Sequence, residues 1–118
     1  MAGMLVPLVL LPRFTTLSGA TTFSTVAMEV PDYEGAIVDL WRSAGASLGT
    51  FAVTYEESTD QNTWTTCGGT PLNDPGANAQ IQHKPLLTKR WFRISVTLTG
   101  GNPTVTCWCV GFLEMRES

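Results

Sequence analysis

Apolar residues in this chain recur at every second position, and nowhere at helical spacing. Phe92, Ile94, Val96 and Leu98 alternate with Trp91, Arg93, Ser95 and Thr97; Phe51, Val53 and Tyr55 alternate with Thr54 and Glu56. Residues 36–42 place Ala36, Val38 and Leu40 opposite Ile37, Asp39 and Trp41. Val26, Met28 and Val30 alternate within 22–30, and Ala79 to His83 forms a short strand of the same pattern. Turn formers separate these runs: Pro31 to Gly35, Ser43 to Gly49, Ser58 to Asn62 ahead of a returning strand at 63–67, and the breaker-rich loop 68–78. Seventeen threonines against two lysines bias the chain further towards strands.

Gly100-Gly101-Asn102-Pro103 is expected to turn the chain into a last strand, Thr104 to Glu114. That strand is apolar on both faces, with Val105, Cys107, Cys109 and Leu113 on one and Trp108, Val110 and Phe112 on the other. A strand of that kind has to be covered twice. The opposite sheet supplies one cover, and a second subunit or the N-terminal segment is left to supply the other. The spacing predicts an all-β chain: a single β-sandwich or jelly-roll-like domain of about seven to eight antiparallel strands over residues 22–118, preceded by an extended arm over 1–21. Pro7 and Pro12 keep that arm extended.

With 118 residues, 43% hydrophobic and 14% charged, one ordered domain is expected. Ten acidic against seven basic residues leave no electrostatic footprint for nucleic acid or an anionic membrane, and no apolar run has the length of a membrane span. Residues 1–12 fit a secretory leader poorly, because no base precedes the apolar run and two prolines interrupt it. Three cysteines cannot all pair within the chain, and Cys107 and Cys109 are poorly spaced for a relaxed disulfide. They are expected as buried free thiols in a protein assembled in a reducing compartment.

Catalytic constellations are absent from the pattern. His83 has no nucleophile or carboxylate at motif spacing and is expected as a surface or interface residue. Glu56, Glu57 and Asp60 are expected to cap and solvate a hairpin, and no cofactor or metal set is expected; the Asp and Asn residues at 60, 62, 73 and 74 lack a calcium-loop pattern. The four tryptophans are the remaining candidates, since large rigid rings anchor interfaces or stack on sugars. The candidate partner-binding set is Met4, Leu5, Val6, Leu8, Val9, Leu10, Leu11 and Phe14 of the arm, with Trp91, Arg93 and Trp108.

The segment from Phe51 to Trp64, with Tyr55-Glu56-Glu57-Ser58-Thr59-Asp60 at its centre, resembles the Y-x-E-S-x-D-G-x-x-W hairpin of discoidin-like carbohydrate-binding modules and of small structural proteins of tailed bacteriophages, with Gln61-Asn62 in place of the usual glycine. Residues 89–106 resemble the paired R-x-x-R-I-x-x-T-L-x-G-x-x-P-x-V-T strands of those phage proteins. The overall plan is similar to capsid decoration, or cement, proteins. The resemblance implies a non-enzymatic virion protein, made in the host cytoplasm, that sits on the outer capsid surface. It also implies a homo-oligomer, dimer or trimer, that binds the major capsid protein and bridges neighbouring capsomers. The alternatives are a glycan-binding module, or a neck, tail or head-fibre base component.

Overall fold

The computed structural model describes residues 5–69 and 74–116 and contains, among them, eight strands and no helix. In chain order these are β1 (Leu5–Ser18), β2 (Thr22–Ser24), β3 (Met28–Glu29), β4 (Tyr33–Arg42), β5 (Ala46–Ser58), β6 (Thr65–Thr66), β7 (Ala79–His83) and β8 (Trp91–Met115). All pairings are antiparallel, and β8 is the spine. On one edge it takes β3, β2 and β1 in succession, on the other β5 and β4; β6 pairs with β5, and β7 with β4.

A straight strand of 25 residues would run about 80 Å at the usual rise, yet the molecule's longest dimension is 48 Å. The sheet therefore folds over on itself. The corner lies at one level in all three long passes of the chain, where Gly19 N–H donates to Pro103 O (2.8 Å), Ala46 lies opposite Thr104, and Leu48 opposite Gly100. Left-handed backbone is concentrated there: Gly19, Gly45 and Gly100 have φ of 109°, 75° and 132°, and Ser47 and Asn102 have φ of 55° and 53°. Glycine adopts these values without a Cβ penalty and asparagine tolerates them, so the residues that read as turn signals supply the bend. The expected reversal at 100–103 is instead a corner within one continuous strand, because pairing with β5 carries on through it.

The two halves of the folded sheet face each other as the layers of a sandwich. One layer is β6–β5–β8 (residues 91–99) with β2 and β3; the other is β7–β4–β8 (residues 104–115) with β1. The core between them draws Phe51, Val53, Tyr55, Phe92, Ile94, Val96 and Leu98 from the first layer, and Val38, Leu40, Val105, Cys107, Cys109 and Leu113 from the second. These are the inward positions of the alternation. Three side-chain contacts cross directly between layers: the Tyr55 hydroxyl reaches His83 Nδ1 at 2.9 Å and Cys109 Sγ at 3.6 Å, and the Arg42 guanidinium sits 5.4 Å from the Phe51 ring centroid.

Several expectations change. Residues 5–18, expected as part of an arm, form β1 and pair with residues 104–114 of β8, with register shifts between Val9 and Leu11 and between Leu11 and Thr15. The expected strand 22–30 is broken at 25–27, where Thr25 pairs its backbone and side chain with Ile94 while Val26 projects outward, 90% exposed. The returning strand at 63–67 shrinks to Thr65–Thr66. His83, expected as a surface or interface residue, is fully buried, because its strand lies against Val38 and its inward position falls between the layers. Glu57 is buried too: its carboxylate accepts the N–H groups of Thr88 (2.8 Å) and Lys89 (3.2 Å) and the Thr88 hydroxyl (2.9 Å), which together replace solvent. Asp60 does cap the hairpin, accepting the N–H groups of Asn62 (2.8 Å) and Thr63 (2.9 Å), and these hold its carboxyl below the usual range.

Candidate functional site

Because Cys107 and Cys109 point wholly into the core, strand alternation sends Trp108, Val110 and Phe112 to the outer surface of the second layer. The same rule sends out Pro7 and Val9 from β1, and Ile37, Asp39 and Trp41 from β4, between the buried residues Leu8, Val38 and Leu40. Register then assembles them in rows: Pro7, Phe112 and Ile37; Val9, Val110 and Asp39; Trp108 and Trp41. The last pair stacks, with ring centroids 6.3 Å apart and planes at 12°. Arg13 lays its guanidinium 4.3 Å from the Trp108 ring centroid.

Among the described residues, nothing covers this face. Val9 is 55% and Phe112 45% exposed. Residues 5–18 lie beside β8 in the sheet and leave that second face of the strand open. The outer surface of the other layer is different in kind: hydroxyls pair across strands as Thr22–Thr97 (2.8 Å), Ser24–Ser95 (2.7 Å) and Thr50–Thr99 (2.6 Å), and Glu56 accepts from Arg93 and Ser95. One face is finished with polar groups that water can wet; the other is aromatic and aliphatic. Contiguous apolar patches on a soluble domain mark interaction surfaces.

The residues singled out from sequence divide between these places. Leu8, Leu10 and Leu11 are buried in the domain's own core, so they are not available to a partner, and Val6 is half-buried. Leu5, Val9 and Phe14 are exposed, Phe14 on left-handed backbone (φ 64°) within the irregular stretch of β1. Met4 lies outside the described residues. Trp91 and Arg93 are outward positions of the first layer and are not brought together with Trp108. The candidate set left out Arg13, Ile37, Asp39 and Phe112, although Phe112 already stood on the face of the last strand that needed a second cover. The alternation of β4 did place Ile37 and Asp39 opposite its core positions, but their meeting with β8 depends on a pairing no local signal encodes.

Each indole has a ring face already in use. Arg13 lies over Trp108, Trp41 stacks on Trp108, Arg93 lies 4.0 Å from the Trp64 centroid, and Arg90 lies 5.8 Å from the Trp91 centroid. Arg93 is held to Glu56 (3.0 Å), and Arg90 pairs with Glu29, so these two guanidinium groups are tethered over their rings.

The buried polar groups between the layers form no reaction site. The Tyr55 hydroxyl meets His83 Nδ1 at 2.9 Å, and all of Tyr55, His83 and Cys109 are closed to solvent. Burial pushes the Tyr55 phenol well above its usual range. The three thiols are free; burial pushes Cys107 up to about 11, and Cys67 and Cys109 up to about 12. Neutral thiols of this kind are poor nucleophiles. Among the described residues, no three His, Cys, Asp or Glu side chains gather as metal ligands.

No protein-family model matches the chain, and no curated protein does. Among solved structures it is similar to a chain in the structure of infectious bursal disease virus, Gx strain, with a TM-score of 0.68 over 96% of this chain at 9% sequence identity. This chain spans about a third (32%) of the length of that one. The likeness is one of fold: a curled, antiparallel all-β sandwich shared with a chain of a virus structure.

Proposed function

We propose that this chain is a structural, non-enzymatic protein of a virus particle, which holds to its neighbours through the outer face of the β1–β8–β4 layer. The observation that carries the reading is the uncovered Trp41–Trp108–Val110–Phe112 surface, on a fold similar to a chain of a virus structure. Burying such a surface stabilises the assembled state alone, by mass action, and requires no catalytic pocket. The finer reading is a decoration protein on the outer capsid surface, bound to the major capsid protein and bridging neighbouring capsomers. Within it, the exposed Leu5, Val9 and Phe14 of β1 extend the surface.

Sugar binding is the weaker reading, because the guanidinium groups over Trp64, Trp91 and Trp108 occupy the stacking surfaces a pyranose would need. The test is mass spectrometry of gradient-purified, virus-sized particles from the culture that makes the chain. The proposal expects the chain in the particle fractions at a fixed ratio to the main shell protein. A chain found only in soluble fractions would overturn it.

A further inference from the structure

The charged groups on the open face are placed unevenly. Arg13 stands on the β1 side of the β8 strip and Asp39 on the β4 side, and between them lie Trp108, Val110 and Phe112. Arg13 stacks on Trp108 but has no carboxylate partner, and Asp39 has no cationic or hydrogen-bonding partner, among the described residues. They are complementary to each other, but lie on opposite sides of the strand.

We infer that a second copy of this chain covers the face, related by a twofold axis lying along β8. Such an axis lays apolar strip on apolar strip, Val110 and Phe112 against their own counterparts, draws Arg13 off the Trp108 ring, and exchanges the β1 and β4 margins. Arg13 of one copy then meets Asp39 of the other, twice. The two residues stand one outward row apart, about 7 Å along the strand, a span that an extended arginine side chain crosses. Sheets packed face to face lie about 10 Å apart with strands within about 30° of alignment, which the flat, stacked Trp41–Trp108 surface accommodates. A partner of one charge would leave either Arg13 or Asp39 unmatched; the chain itself matches both. Glu114, one outward row beyond Phe112, falls at the end of the strip, where solvent still reaches it. The inference rests on reading this face as an interface and adds the identity of its first occupant.

The test is the solution mass of the full chain by light scattering, across a concentration series, for wild type, Arg13→Asp, Asp39→Arg, the double reversal and Val110→Asp. Melting curves accompany each to establish that it is folded. Wild type is expected at twice the chain mass. Each single reversal opposes like charges and should weaken the dimer about tenfold or more, while the double reversal restores it to within about threefold. Val110→Asp, at the centre of the strip, should give a monomer. A folded wild type that stays monomeric at its highest soluble concentration overturns the inference, and so does a dimer indifferent to both reversals. Sedimentation with particles is read separately. A monomer that still sediments with them removes the twofold and leaves the particle role standing. A charge-sensitive dimer absent from particles supports the twofold and removes the particle role.

Discussion

At the scale of single residues, buried polar groups carry the specificity of this core. Tyr55, His83 and Cys109 join the two layers, and Tyr55→Phe strips His83 Nδ1 of its hydroxyl partner without changing the shape of the site. The expected cost is about 1–3 kcal/mol, read from the denaturant midpoint at unchanged m-value; an unchanged midpoint would show that the bond contributes nothing. The pair between Arg42 and Asp74 acts through pH. Guanidinium hydrogen bonds of 2.6 and 2.8 Å hold the Asp74 carboxyl below its usual range. A carboxyl lowered in the folded state contributes stability that is whole above the unfolded value of about 3.9 and drains away as pH falls through the folded one. Unfolding free energies measured at pH 6 and pH 3 should therefore diverge less in Asp74→Asn than in wild type. His83 and Glu57 also mark where the sequence was opaque. Both are polar, so both read as surface residues, and only partners from distant segments, Tyr55 for one and the Thr88–Lys89 backbone for the other, make their burial tolerable.

The elements were the most legible part. Inward and outward positions of β4, β5, β7 and β8 follow the two-residue period because each strand has one face in the core, and burial enforces register wherever that holds. Local breakers were legible as breakers but not as what they do. Gly100 to Pro103 read as a hairpin turn, yet a strand that reverses and one that bends need the same permissive residues; what decides is whether a neighbour continues alongside, and β5 does. The corner makes a sharp prediction. Gly100 has φ 132°, and a Cβ there would run into the Ser47 carbonyl oxygen, whereas a Cβ on Gly101 meets nothing. Gly100→Ala should cost about 2 kcal/mol or more, and Gly101→Ala about 0.5 kcal/mol or less, as measured by chemical denaturation. Equal effects would mean that the corner is not strained at Gly100. β1 was the least legible element: its prolines and apolar run suggested an extended arm outside the sandwich, but Leu8, Leu10, Leu11 and Leu17 supply core along β8.

Seen whole, the molecule is a folded sheet with two unlike outer faces, one of paired hydroxyls and one of stacked indoles and aliphatic side chains. That the last strand is apolar on both sides was plain in the sequence, and so was the need for a second cover. Which strands flank it, and that no described segment of the chain lies over it, came only with the pairing of β1 and β4 to β8. The three buried thiols, pushed up to about 11 and 12, should react slowly with an alkylating reagent at pH 8 until the chain is denatured, when all three should be modified. Rapid modification of the native chain would contradict the closed core. The most direct measurement is co-sedimentation with purified particles of two aspartate variants, Val110→Asp on the apolar face and Ala52→Asp, which is exposed on the hydroxyl face. The account predicts that Ala52→Asp sediments as wild type does while folded Val110→Asp stays in solution; Val110→Asp sedimenting as fully as wild type would contradict it.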